Sequence, residues 1–185
     1  MKKFVCIAAS VLLASTISFG EVSEAAKKLA AESETFCAST AANKPTPQSI
    51  TKMVDEAVAL VTKDGAKSFP KFKGKDSKFI FSGTYIWIND FDGKMLMHPI
   101  KPGMEGQDLL GLKDSNGKRF FVDMIAACKD KGAGWVDYMW PKPGATERSL
   151  KISYVKKAML DGKPVSVGCG VYDMTMEEIT KATAK

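Results

Sequence analysis

Three consecutive segments decide the fold of this chain: Gly134-Trp-Val-Asp-Tyr-Met-Trp-Pro-Lys-Pro143, Ser149-Leu-Lys-Ile-Ser-Tyr-Val-Lys156 and Gly168-Cys-Gly-Val-Tyr172. Each segment alternates side chains with the period of two that a β-strand has, so Val136, Tyr138 and Trp140 share one face. Both faces carry large side chains, which indicates a sheet that is covered on both sides. The connections have the composition of turns between antiparallel neighbours, so the three segments predict a meander.

The sequence before the meander predicts two helices, a hairpin and a third helix. Apolar residues recur at helical spacing from residue 22 to 37 and from 50 to 61, and Thr46 with Pro47 provides a cap for the second helix. Strand-like residues 79–98 turn back at Asp90-Phe-Asp-Gly93, and residues 120–128 form the third helix. A capping box at Thr175 opens a short C-terminal helix. We therefore predict an α+β fold with a five-stranded antiparallel sheet, N-terminal helices on one face and a loop and helix cover on the other.

The first twenty residues have the composition of a secretory signal peptide. Two lysines precede an apolar run, and Ser18 and Gly20 supply small residues at a cleavage site. We expect cleavage near Gly20, with cleavage after Ala25 or Ala26 as the alternative, and a periplasmic or secreted protein. An uncleaved anchor is the other alternative, although a membrane span needs about 20 uninterrupted apolar residues.

Residues 21–45 are predicted to form an N-terminal helix and linker, and residues 46–185 one ligand-binding domain with the short C-terminal helix. The 185 − 20 = 165 residues after the predicted signal peptide suffice for one core. The signal peptide holds two of the 27 basic residues and no acid, so the remaining formal charge is 25 − 21 = +4. The lysines are scattered and form no dense basic stripe, so we expect no nucleic-acid partner.

Three cysteines follow the predicted signal peptide: Cys37, Cys128 and Cys169. In an oxidising compartment one disulfide and one free thiol are expected, and three pairings are possible. Cys128 lies on the predicted third helix beside two alanines, where a buried thiol is expected, so the preferred pairing is Cys37 with Cys169. No Cys-x-x-Cys motif is present, which excludes thioredoxin-like chemistry, c-type haem attachment and most zinc patterns. No cofactor is expected.

Several motifs follow one another in a distinctive order along the chain. They are Thr84-Tyr-Ile-Trp-Ile-Asn-Asp-Phe-Asp-Gly-Lys-Met-Leu-Met-His-Pro99, Gly106-Gln-Asp-Leu-Leu110 with Lys113-Asp114 and Gly117-Lys118, Gly134-Trp-Val-Asp-Tyr-Met-Trp-Pro141, and Gly170-Val-Tyr172. Between residues 46 and 173, this order resembles the single Cache (sCache) domain of bacterial extracytoplasmic sensors. The resemblance implies a PAS-like sheet that binds small ligands, often short carboxylic acids, and signals to a membrane chemoreceptor or histidine kinase. No second membrane helix or cytoplasmic module follows, so we expect a stand-alone exported protein.

A pocket for a short carboxylate needs cationic or hydroxyl donors and an apolar, aromatic wall. The predicted ligand-binding residues are Tyr85, His98, Tyr138, Trp140, Lys151 and Tyr154. Strand alternation places Lys151 and Tyr154 on opposite faces, and we prefer Tyr154 with Tyr138 and Trp140 over Lys151. Simple core packing is the alternative for each aromatic residue, and above all for Trp87 and Trp135.

Two other classes of function are weaker alternatives. No catalytic residues are predicted, because His98 is the sole histidine and no motif supplies it with a nucleophile or a carboxylate. Copper handling is suggested by Met95-Leu-Met-His98, since thioethers favour Cu(I). Strand alternation counts against copper, because it places Met95 and Met97 on one face and His98 on the other. A structural adaptor without a ligand is the third alternative.

Overall fold

The computed structural model describes residues 21–184, so the predicted signal peptide lies outside it. The helices are α1 (Glu24–Ser39), α2 (Pro47–Asp64), α3 (Phe120–Lys131) and α4 (Met176–Thr183). The strands are β1 (Ile80–Phe81), β2 (Thr84–Asp90), β3 (Met95–Met97), β4 (Ala133–Pro141), β5 (Arg148–Leu160) and β6 (Lys163–Tyr172). Two 3₁₀ helices span Gly65–Phe72 and Pro102–Met104. Within residues 21–184, no helix combines the length and apolar character that a membrane span requires.

Helix ends coincide with the capping residues in the sequence. The Thr46 side chain accepts a hydrogen bond from the backbone N–H of Ser49, and the Ser49 hydroxyl accepts one from the N–H of Thr46. Thr175 and Glu178 form the same reciprocal pair at the start of α4. Helix α3 ends at Gly132, whose φ of 77° belongs to the left-handed region that glycine tolerates.

The sheet is antiparallel with the strand order β1-β2-β6-β5-β4, and β3 pairs with β2. The predicted meander is β4, β5 and β6, with Trp140 opposite Ser149 and Tyr154 opposite Cys169. The α+β class is therefore confirmed. The sheet has one strand more than predicted, because Ser82 and Gly83 both adopt positive φ and form a two-residue hairpin that separates β1 from β2.

The sheet separates two hydrophobic clusters. On one face, α2 packs Ile50, Val54 and Val61 against residues of β2, β5 and β6. On the other face, α3 packs Phe120 and Met124 against side chains of β2, β4 and β5. Of the two N-terminal helices only α2 lies on the first face, since α1 contributes Cys37 to the second cluster.

The structure shows the two cysteines of the predicted Cys37–Cys169 disulfide as separate thiols. Cys37, Cys128 and Cys169 are all buried free thiols. Cys37 belongs to the second cluster and donates to the backbone oxygen of Thr84 at 3.3 Å, whereas Cys169 belongs to the cluster on the α2 face. Cys169 Sγ lies 3.5 Å from Oγ1 of the same Thr84, so both thiols contact this one residue although they belong to different clusters.

Candidate ligand-binding site

A small cavity of about 10 Å³ lies between the sheet, the start of α3 and the 3₁₀ helix Pro102–Met104. Nine side chains line it: Tyr85, Trp87, His98, Met104, Phe120, Phe121, Tyr138, Trp140 and Lys151. Seven of them are buried, and only Met104 and Trp140 are partly exposed. These two side chains therefore form the mouth of the cavity.

Lys151 reaches the cavity because the neighbouring strand carries glycine instead of larger residues. A Cβ atom on Gly170 would lie 2.5 Å from Cε of Lys151, and one on Gly168 would overlap the Trp87 ring. Gly168 and Gly170 share one face of β6, as the alternation of a strand requires. The two glycines thus leave a shallow trough in which the Lys151 stem and the Trp87 indole lie flat on the sheet.

The Lys151 ammonium is enclosed by aromatic rings. Its Nζ lies 4.4 Å from the ring centroid of Tyr85, 5.0 Å from that of Trp87 and 5.1 Å from that of Tyr172, and it donates to the Tyr85 hydroxyl at 3.4 Å. Burial lowers the pKa of Lys151 to about 8. Among residues 21–184, no carboxylate forms an ion pair with it. The side chain is 1% exposed, so this is a buried cation without a protein counter-ion.

His98 lies beside this cation as a neutral donor. Its Nδ1 accepts hydrogen bonds from the backbone N–H groups of Lys101 at 3.0 Å and Ile100 at 3.3 Å. The ring proton is therefore on Nε2. Burial, followed by the charge of Lys151, holds the pKa of His98 well below its usual value.

The remaining walls are aromatic and rigid. Phe120 stacks on Tyr138 with ring centroids 4.3 Å apart, and the Tyr138 hydroxyl lies 3.0 Å from Oγ of Ser153.

Nε1 of Trp87 is buried and has no hydrogen-bond partner in the described chain. Unpaired buried donors are uncommon in folded proteins, so this indole N–H is available to an acceptor from outside the chain. Lys101 places a second ammonium 6.0 Å from the Trp140 ring, near the mouth.

The structure brings five of the six predicted site residues together: Tyr85, His98, Tyr138, Trp140 and Lys151. Tyr154 lies apart from these five residues, because its ring is on the α2 face, 5.2 Å from that of Trp135. Lys151 and Tyr154 are three positions apart on β5 and point to opposite faces, as alternation predicted. Lys151 lines the cavity and Tyr154 does not, so the geometry favours Lys151 as the candidate ligand-binding residue.

Four lining residues were absent from the predicted set: Trp87, Met104, Phe120 and Phe121. Trp87 was interpreted as core, although its position two residues after Tyr85 placed it on the same face and was the available signal. Phe120 and Phe121 have only a helical pattern in sequence. Met104 lies in a long irregular segment, so its contact with the cavity depends on tertiary structure.

The structure also separates the proposed copper ligands. Met95 packs in the cluster with Tyr85, whereas Met97 packs in the cluster of the α2 face. The prediction that the two thioethers share one face is therefore wrong. The β2–β3 pairing shifts register between Ile88 and Asn89, which breaks simple alternation. Within the described chain, no group of three His, Cys, Asp or Glu side chains is placed to hold a metal ion.

The sequence pattern of a protein family described as Cache domain matches residues 22–185. The methyl-accepting chemotaxis protein McpP of Pseudomonas putida is 43% identical over 90 residues, which are 48% of this chain and 16% of that protein. The sensor histidine kinase MctS of Rhizobium johnstonii is 34% identical over 88 residues, which are 48% of this chain and 18% of that protein. The matched region thus spans less than a fifth of either relative.

A solved structure has the same fold. It is a methyl-accepting chemotaxis protein from Vibrio parahaemolyticus, 25% identical in sequence. The superposition has a TM-score of 0.53 and covers 66% of this chain and 82% of that one.

Proposed function

The chain belongs to the Cache domain family, and on that premise we propose that it is an exported sensing module that binds a short organic acid beside Lys151. The observation that carries this proposal is the buried Lys151 ammonium without a carboxylate partner. A buried charge is costly unless it is paired, and a pKa of about 8 leaves the side chain mostly protonated at neutral pH. A ligand carboxylate supplies the missing counter-ion.

Neutral donors around the ammonium support the same class of ligand. The Nε2–H of His98, the Tyr85 hydroxyl and the Trp87 indole N–H belong to residues of one cavity wall. A carboxylate has two oxygens with about four acceptor positions, so it can accept from Lys151 and from several of these donors at once. An amine or an amide would leave the ammonium unpaired.

The cavity is too small in this structure to hold an organic acid without rearrangement, so a short acid requires the least opening. A volume of about 10 Å³ holds at most one water molecule. Even a two-carbon acid therefore requires the mouth to open. Met104 and Trp140 are the partly exposed lining residues, and the unbranched Met104 side chain adapts readily, so we infer that these two move apart when the ligand binds.

The proposed partner is a membrane chemoreceptor or a histidine kinase to which the loaded domain presents its ligand. Support comes from the two curated relatives, a chemotaxis receptor and a sensor kinase. Neither a catalytic role nor a cofactor is part of the proposal. Co-purification with a receptor ectodomain that depends on the bound acid would test the partner separately from the ligand.

Isothermal titration calorimetry tests the ligand class. The panel comprises formate, acetate, propionate, butyrate and lactate, with acetamide and ethylamine as matched neutral and cationic controls. We expect saturable binding of at least one acid and none of the controls. A ligand at about 100 times its Kd should add roughly 2.7 kcal/mol to the free energy of unfolding, which a thermal-shift assay detects. Absence of binding across the acids would contradict the proposal and favour the adaptor function.

The first prediction concerns Lys151→Met, which keeps the apolar stem and removes the charge. We expect acid binding to be lost and the free energy of unfolding to stay the same or rise, because an unpaired buried charge is removed. The matched control is Lys157→Met on the same strand, whose side chain is exposed. Calorimetry and thermal melts measure both effects. Normal affinity in folded Lys151→Met protein would exclude Lys151 as the carboxylate partner.

A further inference from the structure

A second cavity, of about 160 Å³, lies at the junction of the α1 C-terminus, the β1–β2 turn, the β4–β5 loop and the end of β6. It shares no lining residue with the Lys151 cavity. We propose that this second cavity binds a monovalent organic anion whose apolar body is about the size of a six-membered ring. The inference goes beyond the proposed function, because it concerns a different site and a larger ligand.

Most of the walls of the second cavity are short and apolar, and Ser82 and Thr84 add two hydroxyl side chains. Ala38 and Ala41 contribute single methyl groups, Pro45 and Pro143 contribute hydrocarbon rings, and Gly83 contributes bare backbone. A closed apolar protein cavity of about 150 Å³ is known to accept benzene. This cavity has a similar volume of about 160 Å³ but is open to solvent, since Ala38 and Ala41 are exposed, so a ring can enter it from the surface. The Lys151 cavity is an order of magnitude smaller and cannot accept such a body without large rearrangement.

The rim of the second cavity carries more positive than negative charge. Lys142 contacts both carboxylate oxygens of Asp173, at 2.8 and 2.9 Å, and Lys44 lies 3.6 Å from the same carboxylate. Two ammonium groups thus share one carboxylate, which leaves one net positive charge at the rim. Glu34 does not line the cavity, and one of its oxygens accepts from the backbone N–H of Gly144 at 3.2 Å. Of the two lysines, Lys44 has the looser contact and is the one available to a ligand carboxylate.

Tyr172 lies between the two cavities. It lines the second cavity, its ring centroid is 5.1 Å from Nζ of Lys151, and its hydroxyl donates to the backbone oxygen of Pro141 at 2.9 Å. A ligand in the second cavity therefore contacts a residue that also encloses the ammonium of the first. The walls include α1 and the α1–α2 linker, so the same ligand would hold α1 against the end of the sheet.

Two-dimensional NMR of the ¹⁵N- and methyl-labelled protein tests this site with benzoate as the probe. We expect saturable shifts of the Gly83 amide and the Ala41 methyl, in wild type and equally in Lys151→Met. Benzyl alcohol, which has the same ring without the charge, should bind several-fold more weakly. Because Lys151→Met disables only the first site, failure of the short-acid proposal and failure of this one are distinguishable.

Three variants sharpen the test. Ala38→Leu fills the cavity from α1 with a good helix former and should abolish the benzoate shifts. Lys44→Gln should weaken benzoate roughly two- to five-fold, the effect of one exposed ion pair. Lys52→Gln removes an exposed charge on α2 outside the cavity and should change nothing. Unchanged benzoate affinity in folded Ala38→Leu protein, equal binding of benzyl alcohol, or benzoate shifts confined to the Trp87 and Trp140 indoles would each overturn the proposal.

Discussion

At the scale of single residues, Lys151 carries the proposed function because of what surrounds it. Three aromatic rings and a tyrosine hydroxyl stabilise its ammonium, but none of them carries a negative charge. Two thiols are also close enough to influence it, yet burial raises the pKa of Cys37 to about 12 and that of Cys169 to about 11, so both are neutral. Among the described residues, the cation therefore has no anionic partner, which is the basis of the proposed carboxylate site.

The second prediction is a pH dependence with opposite signs for binding and stability. Carboxylate binding requires protonated Lys151, so Kd should be constant between about pH 6 and 7 and rise roughly ten-fold per unit above about pH 8. His98 does not titrate in this range, because its pKa is held well below its usual value by burial. Calorimetry at a series of pH values measures the effect.

The stability of the ligand-free protein should change in the other direction. The folded-state pKa of Lys151 is lowered from 10.5 to about 8, so between these values the unfolded chain binds more protons than the folded one. The free energy of unfolding contributed by this group therefore rises with pH across that window. Urea denaturation of wild type compared with Lys151→Met isolates this contribution from other lysines. A Kd that stays constant up to pH 10 would contradict the assignment.

The third prediction concerns the thiols. Burial raises the pKa of all three cysteines in the described chain, and the thiolate is the reactive form. A protein that begins at Glu21 should show no reaction with Ellman's reagent at pH 8 while folded and three equivalents of thiol once unfolded in guanidinium. If unfolded protein purified under oxidising conditions shows only one equivalent of thiol instead of three, two cysteines form a disulfide and the prediction of three free thiols is wrong.

At the scale of secondary-structure elements, β6 makes room for the candidate site because it carries only small side chains next to Trp87 and Lys151. Its residues alternate between valine or cysteine on the α2 face and small residues on the cavity face until Tyr172. The missing side chains allow Trp87 and Lys151, from the strands on either side, to lie across β6. Such close approach is a recurrent reason for glycine inside a strand.

The fourth prediction compares the two glycines. In Gly168→Ala the new methyl meets the rigid Trp87 ring, and we expect a loss of about 1–3 kcal/mol of stability. In Gly170→Ala it meets the side-chain ends of Lys151 and Ser153, which can rotate away, so stability should change less. The displaced ammonium should still weaken acid binding by roughly ten-fold or more. Gly111→Ala, in open space, is the matched control. Equal losses of stability in Gly168→Ala and Gly170→Ala, together with normal acid binding by both, would contradict the presence of the trough on β6.

Element boundaries and strand faces were predictable because they depend on local chemistry. Thr46 with Pro47, Gly132 and Thr175 mark helix ends, and period-two alternation grouped Tyr138 with Trp140 on the cavity face. Alternation does not indicate which of two faces receives the ligand, which is why Tyr154 was preferred over Lys151. A lysine in a strand is usually solvent-exposed, and nothing local shows that Gly170 opens space for it. Contacts of Met104 and Phe121 depend on the packing of distant segments.

At the scale of the whole molecule, the sheet divides the domain into a supporting half and a half that holds the candidate site. α2 and α4 cover one face, with Ile50 and Ile179 buried there. The other face holds the Lys151 cavity beneath α3 and the loop that carries His98 and Met104. Of the six predicted ligand-binding residues, five line the cavity. The sixth, Tyr154, packs in the supporting half.

The fifth prediction follows from this division and uses Ile50→Ala on α2. Ile50 is fully buried in the supporting half, so its truncation should cost about 2–5 kcal/mol through lost burial and a cavity. For a domain of this size the midpoint of thermal unfolding should fall by about 4–20 °C. Affinity for the short acid, measured well below that midpoint, should remain within about two-fold of wild type, because Ile50 and the cavity lie on opposite faces of the sheet.

Lys52→Ala on the exposed side of the same helix is the control, and its effect on stability should stay within about 0.5 kcal/mol. Ile50→Ala and Lys151→Met should therefore have opposite effects. Ile50→Ala should lose stability and keep acid binding, whereas Lys151→Met should lose acid binding and keep stability. If folded Ile50→Ala protein binds the acid more than ten-fold more weakly, the two faces are energetically coupled through the sheet. The supporting half would then take part in sensing, because a change at α2 would alter the occupancy of the Lys151 cavity on the other face.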